Sequence, residues 1–153
     1  MFNPPRPTVT DEIVREAAAE IAEKLGGSVD DIVKEYSYPM DGYELAKELE
    51  KWHYWNIGRD DIDTLDEVDF RVSDLLKKAQ QEWAEAHNIQ PPFPVGTRVM
   101  CRSRRNTGVI DSICDHSPAA YLIKADGHDD EKDGYSRWVC KFEAVEPAEE
   151  TAA

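Results

Sequence analysis

The sequence predicts an α+β fold in which three to four helices come first and a small four- to five-stranded β domain follows. Apolar residues recur every three or four positions over residues 10–90, which is the period of an amphipathic helix. Over residues 95–146 the apolar runs are short and rich in β-branched and aromatic residues, as in strands. The proline-rich segment 91–94 separates the two patterns and is predicted to be a hinge of extended backbone.

Capping residues predict where the helices of the acidic module, residues 10–90, begin. Thr10 is placed to cap a first helix and Ser28 a short second one, because their hydroxyl groups can accept from free N–H groups of the first turn. Asp41, with a glutamate three residues later, predicts the start of a third helix. Thr64 is followed by a glutamate at the same distance, so we expect the fourth helix to begin there.

The two ends of the chain fall outside both patterns. Residues 1–9 are predicted to be an extended lead, and residues 147–153 a disordered acidic tail. The first residues lack the basic and apolar regions of a signal peptide. No run approaches the ~20 apolar residues of a membrane span. We therefore expect a cytoplasmic protein.

The cysteines indicate the same compartment. Cys101, Cys114 and Cys140 lie far apart in the sequence and cannot all pair within the chain, so a reducing cytosol is the simplest setting. We expect Cys101 and Cys140 to be small core side chains. A zinc site that combines the three cysteines with His116 lacks the paired Cys-x-x-Cys spacing and is not predicted.

No catalytic or cofactor motif occurs in the sequence, which lacks phosphate-binding glycine loops and the common nucleophile motifs. Cys114 with His116 is the nearest approach to a nucleophile and its base, and supports a small enzyme only as a third reading. Residues 129–134 match the first positions of a calcium-binding loop, but Cys140 stands where that loop needs a bidentate glutamate. We expect no catalytic residue, no cofactor and no metal.

Four short runs, at 98–101, 108–113, 120–124 and 137–142, predict the strands of the β domain. The sequence of this domain resembles the small SH3-like barrels of the KOW and Tudor types. The matching motifs are Val95-Gly96-Thr97-Arg98-Val99, Gly108-Val109-Ile110, Tyr121-Leu122-Ile123-Lys124 and Trp138-Val139. The resemblance covers about residues 94–146 and implies a barrel that binds nucleic acids, peptides or other proteins.

A basic cluster gives this resemblance a candidate binding site. Residues 95–125 carry five basic and two acidic residues, a local balance of +3. The residues that would bind nucleic acid or peptide are Arg102, Arg104, Arg105 and Tyr121. Tudor-type barrels read methylated side chains with an aromatic cage. Rings such as Tyr135 and Trp138 are available, but the pattern does not place them on one wall, and no cage is predicted.

The helical module carries a second resemblance. Its segment 41–50 resembles segments of small bacteriophage accessory proteins. That resemblance implies an accessory or anti-defence role in the bacterial host cytosol, including inhibition of a defence system in the manner of anti-CRISPR proteins.

The charge of the chain favours a basic partner. There are 18 basic and 32 acidic residues, for a net charge of -14. Residues 1–90 alone carry 21 acidic and 10 basic residues, a balance of -11. Such a charge opposes binding to DNA, RNA or anionic membranes. The leading prediction is therefore a non-catalytic protein that binds a basic surface of a nucleic-acid-handling complex, for which carboxylates on a helix imitate phosphates.

The predicted partner-binding residues combine this acidity with aromatic anchors. The acidic members are dense near the start of the fourth helix, and the aromatic members lie at the end of the third. They are Trp52, Tyr54, Trp55, Asp60, Asp61, Asp63, Asp66 and Glu67. Three large rings within four positions cannot all face one core, so one or two are expected at the surface.

Overall fold

Four amphipathic helices form most of the first 86 residues. In this computed structural model, which describes residue 2 and residues 4–148, they are α1 (Asp11–Leu25), α2 (Val29–Glu35), α3 (Gly42–His53) and α4 (Arg59–Ala86). A further helix of one turn, α5, spans Asp130–Asp133 and was not predicted. None of the helices within the described ranges combines the length and apolarity needed to cross a membrane.

The caps of the first three helices follow the sequence prediction. The Thr10 side chain accepts from the Ile13 N–H group, and the Asp41 side chain accepts from the Glu44 N–H group at 2.8 Å. Gly26 ends α1 in the left-handed conformation at φ 72°, which glycine adopts without strain.

The predicted start of α4 at Thr64 is wrong, because the helix begins five residues earlier at Arg59. The Asp61 carboxylate reaches back to accept from the Gly58 N–H group at 2.9 Å, as the third residue of a capping box does. Thr64 lies inside the helix, and its hydroxyl donates to the Asp60 carbonyl group at 3.5 Å. The threonine pattern therefore misled the prediction because an earlier aspartate supplies the cap.

Two compact units divide the chain. The helical unit is Pro7–Ala79, and the sheet unit combines Met1–Arg6 with Gln80–Ala153. The boundary between the two units falls within α4. The hinge at residues 91–94 stays a prediction. The buried core of the helical unit consists of the apolar faces of α1 to α4. Its largest fully buried side chains are Ile21, Ile32, Leu45, Leu49, Leu65, Val68 and Val72.

The sheet unit contains five antiparallel strands in the order β4-β3-β2-β1-β5. They are β1 (Arg98–Cys101), β2 (Asn106–Ile113), β3 (Ala120–Ala125), β4 (Trp138–Lys141) and β5 (Val145–Pro147). The strand number lies within the prediction, but β4 and β5 remain edges and the sheet does not close. Pro147, which was assigned to the tail, belongs to β5, while residues 149–153 of that tail lie outside the described residues.

A disulfide crosses the inner face of this sheet. Cys101 in β1 and Cys140 in β4 are bonded, with their Cα atoms 6.2 Å apart. Since β1 and β4 are three strand spacings apart, a flat sheet would separate them by ~14 Å. The sheet is therefore strongly curled. Both cysteines are buried as predicted, but the expectation that they are reduced is wrong, because curling joins positions that are distant in sequence.

Residues 4–6 of the predicted lead are anchored within the sheet unit. The Arg6 guanidinium donates to Glu143 at 2.7 Å and to the Pro118 and Ala119 carbonyl groups at 2.6 and 2.7 Å. The Trp83 indole N–H donates to the Pro4 carbonyl group at 3.0 Å. This segment is consequently part of the unit's packing, which its proline content alone did not indicate.

The disulfide should stabilise the sheet unit when the protein is oxidised. Replacing both Cys101 and Cys140 by alanine should lower the free energy of unfolding by roughly 2–4 kcal/mol, since the bridge spans 39 residues and restricts the unfolded chain. Urea denaturation measures this difference. The difference in free energy of unfolding between the two proteins should become smaller when both are measured in reductant. Alkylation of the denatured, non-reduced protein should modify one thiol, that of Cys114, and modification of all three would contradict the bridge.

Candidate functional site

The exposed side of α4 in the helical unit carries a row of carboxylates with one aromatic ring among them. We call this row the acidic stripe, and its members are Asp60, Asp63, Glu67, Phe70 and Asp74. Their spacing of three and four residues places them on one face of the helix. All five are exposed, and Phe70 keeps 69% of its surface accessible.

The predicted acidic residues divide into two groups in the structure. Asp60, Asp63 and Glu67 lie on the acidic stripe, whereas Asp61 and Asp66 are only partly exposed and hold the fold together. The Asp66 carboxylate accepts from the Gly42 N–H group at 2.5 Å, and Asp61 accepts from the Gly58 N–H group. Asp61 and Asp66 therefore also serve the fold, and the prediction that all five carboxylates bind a partner stays a prediction.

Asp69, next to the acidic stripe, also serves the fold. Its carboxylate accepts from the Tyr36 hydroxyl group at 2.6 Å and from the Met40 N–H group at 2.9 Å. Burial, and then the hydrogen bond to Asp69, raise the pKa of the Tyr36 phenol. The sequence indicated which acids serve the fold and which lie at the surface, because Asp66 and Asp69 flank the apolar positions of α4. The same three- and four-residue spacing would have added Phe70 and Asp74 to the predicted site.

One member of the acidic stripe is partly neutralised within the unit. Arg71 lies 3.6 Å from Glu67 and 3.1 Å from Glu20 of α1. Exposed ion pairs of this kind contribute little stability. The pairing nevertheless makes Asp60, Asp63 and Asp74 the members whose charge is least compensated by neighbours.

The aromatic residues at the end of α3 are separated by a sharp turn of the backbone. Tyr54, the C-cap that follows the last helical residue, adopts the left-handed conformation at φ 59° and is 90% exposed. Trp52 is 57% exposed, and its indole N–H donates to Glu48 at 2.8 Å. Trp55 is partly buried within the helical unit. Two rings thus lie at the surface, as predicted, and the third belongs to a pocket.

A cavity of about 390 Å³ lies beside Trp55 in the helical unit. We call it the Trp55 pocket. Its wall is formed by the turn between α1 and α2, the connection between α3 and α4, and the first turn of α4. The chemically distinctive lining residues are Asp31, Tyr54, Trp55 and Asp61. No basic side chain is among the lining residues within the described ranges.

Close packing and hydrogen bonds fix the Trp55 indole in this wall. A Cβ atom added to Gly27 would lie 2.2 Å from the ring, so the indole fits only against glycine. The indole N–H donates to Asp31 Oδ2 at 2.9 Å. Asp31 Oδ1 lies 3.1 Å from His53 Nδ1, and His53 Nε2 lies 2.9 Å from Glu35 Oε1. A doubly protonated His53 would donate to both carboxylates.

The sheet unit retains only part of the alternative binding set. Tyr121 is fully buried, and its hydroxyl group both donates to the Phe93 carbonyl and accepts from the Phe93 N–H group. Burial raises the pKa of the Tyr121 phenol. Its ring cannot stack on a base, so this member of the predicted set is wrong. Arg102 donates to the Glu143 carbonyl group and lies 3.9 Å from the Glu146 carboxylate.

The remaining arginines of that set lie at the turn between β1 and β2. Arg104 places its guanidinium 5.5 Å from the centre of the Trp138 ring. Arg105 is exposed and adopts a left-handed conformation at φ 58°. The basic surface available to a ligand is therefore smaller than the sequence indicated.

The segment 129–134, whose sequence partly matches a calcium-binding loop, is organised by an arginine. Arg137 donates to Asp130 through two nitrogen atoms at 2.8 and 3.0 Å, and its Nε atom lies 3.2 Å from Asp111 Oδ2. The Arg137 hydrogen bonds are the largest cause that lowers the pKa of Asp130 from 3.8 to about 2. Within the described ranges no three His, Cys, Asp or Glu side chains converge as metal ligands.

The structure does not bring together the residues of the other two candidates, the cysteine zinc site and the Cys114–His116 pair. Cys101 and Cys140 are bonded to each other and cannot act as thiolate ligands. Cys114 is buried, whereas His116 is exposed. The third reading, a small enzyme, gains no geometric support from these two residues.

Comparison with models of known protein families, with curated proteins and with solved structures gives no match.

Glycine at position 27 should be required for the Trp55 pocket. Gly27→Ala should lower the free energy of unfolding by roughly 1–3 kcal/mol, because the added carbon forces the indole to move. Gly58→Ala is a matched control, since its added carbon would meet Asp61 only at an ordinary 3.5 Å. Urea denaturation gives both stabilities, and the Trp55 indole N–H resonance reports ring displacement. Equal effects of the two substitutions would contradict the proposed packing.

Asp130 should titrate far below an ordinary aspartate. Its folded pKa of about 2 lies below the ordinary value of 3.8, so its contribution to stability is present above the ordinary value. That contribution is lost as pH falls through about 2. Carbon-detected NMR titration of the side-chain carboxyl groups measures the pKa. Arg137→Gln should return the Asp130 pKa towards 3.8, whereas Arg98→Gln should chiefly move Asp126, whose pKa Arg98 lowers.

Proposed function

We propose that this protein is a non-catalytic interaction protein whose helical unit binds a basic surface of a nucleic-acid-handling complex. The acidic stripe is the observation that carries the proposal. Among the hydrogen bonds and ion pairs of the described residues, the side-chain carboxylates of the stripe contribute only the pairing of Glu67 with Arg71. Surface charges that the fold does not use remain free to steer a partner of opposite charge.

Phe70 supports an interface rather than an ordinary solvated helix face. A large ring that is 69% exposed among carboxylates has no role in the core of the unit. Aromatic side chains commonly supply most of the affinity of an interface when they are buried by a partner, while surrounding polar residues exclude water. The exposed Tyr54 and Trp52 would add further apolar contact area.

The spacing of the acidic stripe supports partial imitation of a nucleic-acid strand. From Asp60 to Asp74 the helix rises ~21 Å and presents four carboxylates, which is one charge in roughly 5–7 Å. A strand of B-DNA carries one phosphate per ~3.4 Å. The stripe therefore reaches about half the charge density of a strand, a density that favours electrostatic steering of a basic partner. The specific form that we propose is a phage-encoded inhibitor of a bacterial defence system, similar in role to anti-CRISPR proteins.

One observation favours a second candidate function for the sheet unit. The Arg104 guanidinium lies over the Trp138 ring, 5.5 Å from its centre, and Arg105 follows at the same exposed turn. Cations and rings together bind nucleic acid or peptides. The curl that joins β1 to β4 supports an SH3-like binding module, while its open edges distinguish the sheet from a closed barrel. A gel shift lost in Arg104→Glu with Arg105→Glu would favour this candidate.

Neutralising the acidic stripe should weaken partner binding. Asp60→Asn, Asp63→Asn and Asp74→Asn together should reduce affinity by roughly tenfold or more and flatten its dependence on salt. The partner would be obtained by affinity capture from a bacterial lysate and then measured as a purified complex. Competition by duplex DNA should displace the unaltered protein.

A control with the same change of net charge isolates the role of position. Glu12→Gln, Glu16→Gln and Glu23→Gln remove three exposed charges from α1, including one in its first turn, as Asp60 lies in the first turn of α4. This variant should bind normally. Equal affinity of both variants, or binding that ignores salt, would refute the proposed surface.

A further inference from the structure

We propose that the Trp55 pocket receives the guanidinium group of an arginine on the basic partner. This inference rests on the proposed function, since it names the chemistry that the partner must present. The pocket's volume of about 390 Å³ lies within the range of ~300–1,000 Å³ typical of small-ligand sites. A single long side chain can enter such a cavity without rearrangement of the core.

The charges around the pocket select a cation. Asp31 and Asp61 line it, and no basic residue within the described ranges does so. Behind the wall, His53 contacts Asp31 and Glu35. Even with His53 protonated, these three side chains carry a combined charge of -1, and Asp61 adds another. An anion is therefore disfavoured, and a neutral ligand would leave this charge uncompensated.

The carboxylates can accept additional hydrogen bonds. Asp31 uses one oxygen for the Trp55 indole and the other for His53. Asp61 uses Oδ2 for the Gly58 N–H group. Since an ionised carboxylate offers about four acceptor positions, both residues retain capacity for an incoming donor.

The aromatic wall distinguishes a guanidinium from an ammonium group. Trp55 and Tyr54 both line the pocket, and the Trp55 ring is held by Gly27 and Asp31. A planar guanidinium can stack on an aromatic face and donate to carboxylates at its edge, whereas an ammonium group is a compact, strongly hydrated charge. The Trp55 ring is already fixed, so this side chain loses little conformational entropy when a ligand binds.

The position of the pocket connects it to the acidic stripe. Asp61 in its wall follows Asp60, the first member of the stripe, at the start of α4. A basic segment could therefore place one arginine in the pocket and further cations along the helix. The pocket would supply the orientation that exposed charges alone provide poorly.

NMR titration of the full chain tests the pocket without the partner. The probe is Nα-acetyl-arginine methylamide, and its control is the matching citrulline compound, which has nearly the same shape and no charge. The arginine compound should shift the Trp55 indole N–H resonance saturably, with a Kd on the order of millimolar as expected for a small isolated ligand. Trp55→Phe assigns that resonance. The citrulline compound should bind at least roughly tenfold more weakly.

Two variants should lower the affinity for the arginine compound, and a third should leave that affinity unchanged. Asp61→Asn keeps an oxygen that can accept from Gly58 but removes the charge. Tyr54→Asn removes the ring and retains a residue that tolerates the left-handed conformation. Glu16→Gln, at an exposed position of α1, removes the same charge and is the control. Absence of a shift, an equal response to citrulline, or an unaltered titration in both pocket variants would overturn the proposal.

The outcomes for the pocket and for the stripe are separable. If the arginine compound does not bind while the stripe variant still loses its partner, the pocket proposal is wrong and the proposed function stands. If the arginine compound binds as expected while the stripe variant retains full affinity, the guanidinium site is supported and the proposed surface on α4 is wrong.

Discussion

The helical unit depends on hydrogen bonds donated to the carboxylates of α4 that face its interior. Asp66 accepts from the backbone where α3 begins, and Asp69 accepts from the segment between α2 and α3. Because Gly42 lacks a side chain, α3 and α4 approach closely, and an added Cβ atom would lie 2.3 Å from the Ile62 carbonyl oxygen. A buried carboxylate without partners would be costly. These bonds therefore decide which acids belong to the fold and which remain at the surface.

This division makes the surface of α4 informative about function. The acids that lack inward donors repeat at three- and four-residue spacing around Phe70, so they form a defined face. The sheet unit uses its charges differently. Arg6 and Arg137 are held by carboxylates and carbonyl groups, and Arg102 contacts its own unit. Three of the five basic residues in the locally basic segment 95–125, which are Arg98, Arg102 and Lys124, pair with carboxylates of the same unit. Among the described residues, the acidic stripe of α4 shows such a pairing only at Glu67.

The sequence predicted features that depend on local pattern and missed those that depend on distant contacts. Helix periodicity and the caps at Thr10 and Asp41 need only a few neighbouring residues. Two capping patterns competed for the start of α4. The pattern at Thr64 was the one predicted, whereas Asp61 makes the capping hydrogen bond, to Gly58. The disulfide depended on the curl of the sheet, since Cys101 and Cys140 carry no spacing signal. The Trp55 pocket requires a turn, a connection and a helix start to converge, which no single pattern encodes.

Specific recognition requires more than the charge of the acidic stripe. Exposed carboxylates are screened within ~8–10 Å at physiological salt and attract many basic proteins equally well. A partner is selected when some of its groups must fit a rigid, partly buried site and a wrong partner leaves that site unfilled. The Trp55 indole packs closely against Gly27 and donates a hydrogen bond to Asp31, so it is a rigid feature of this kind. Under the proposed function, steering by α4 and discrimination by the Trp55 pocket would be complementary, because the first would set the approach and the second the register.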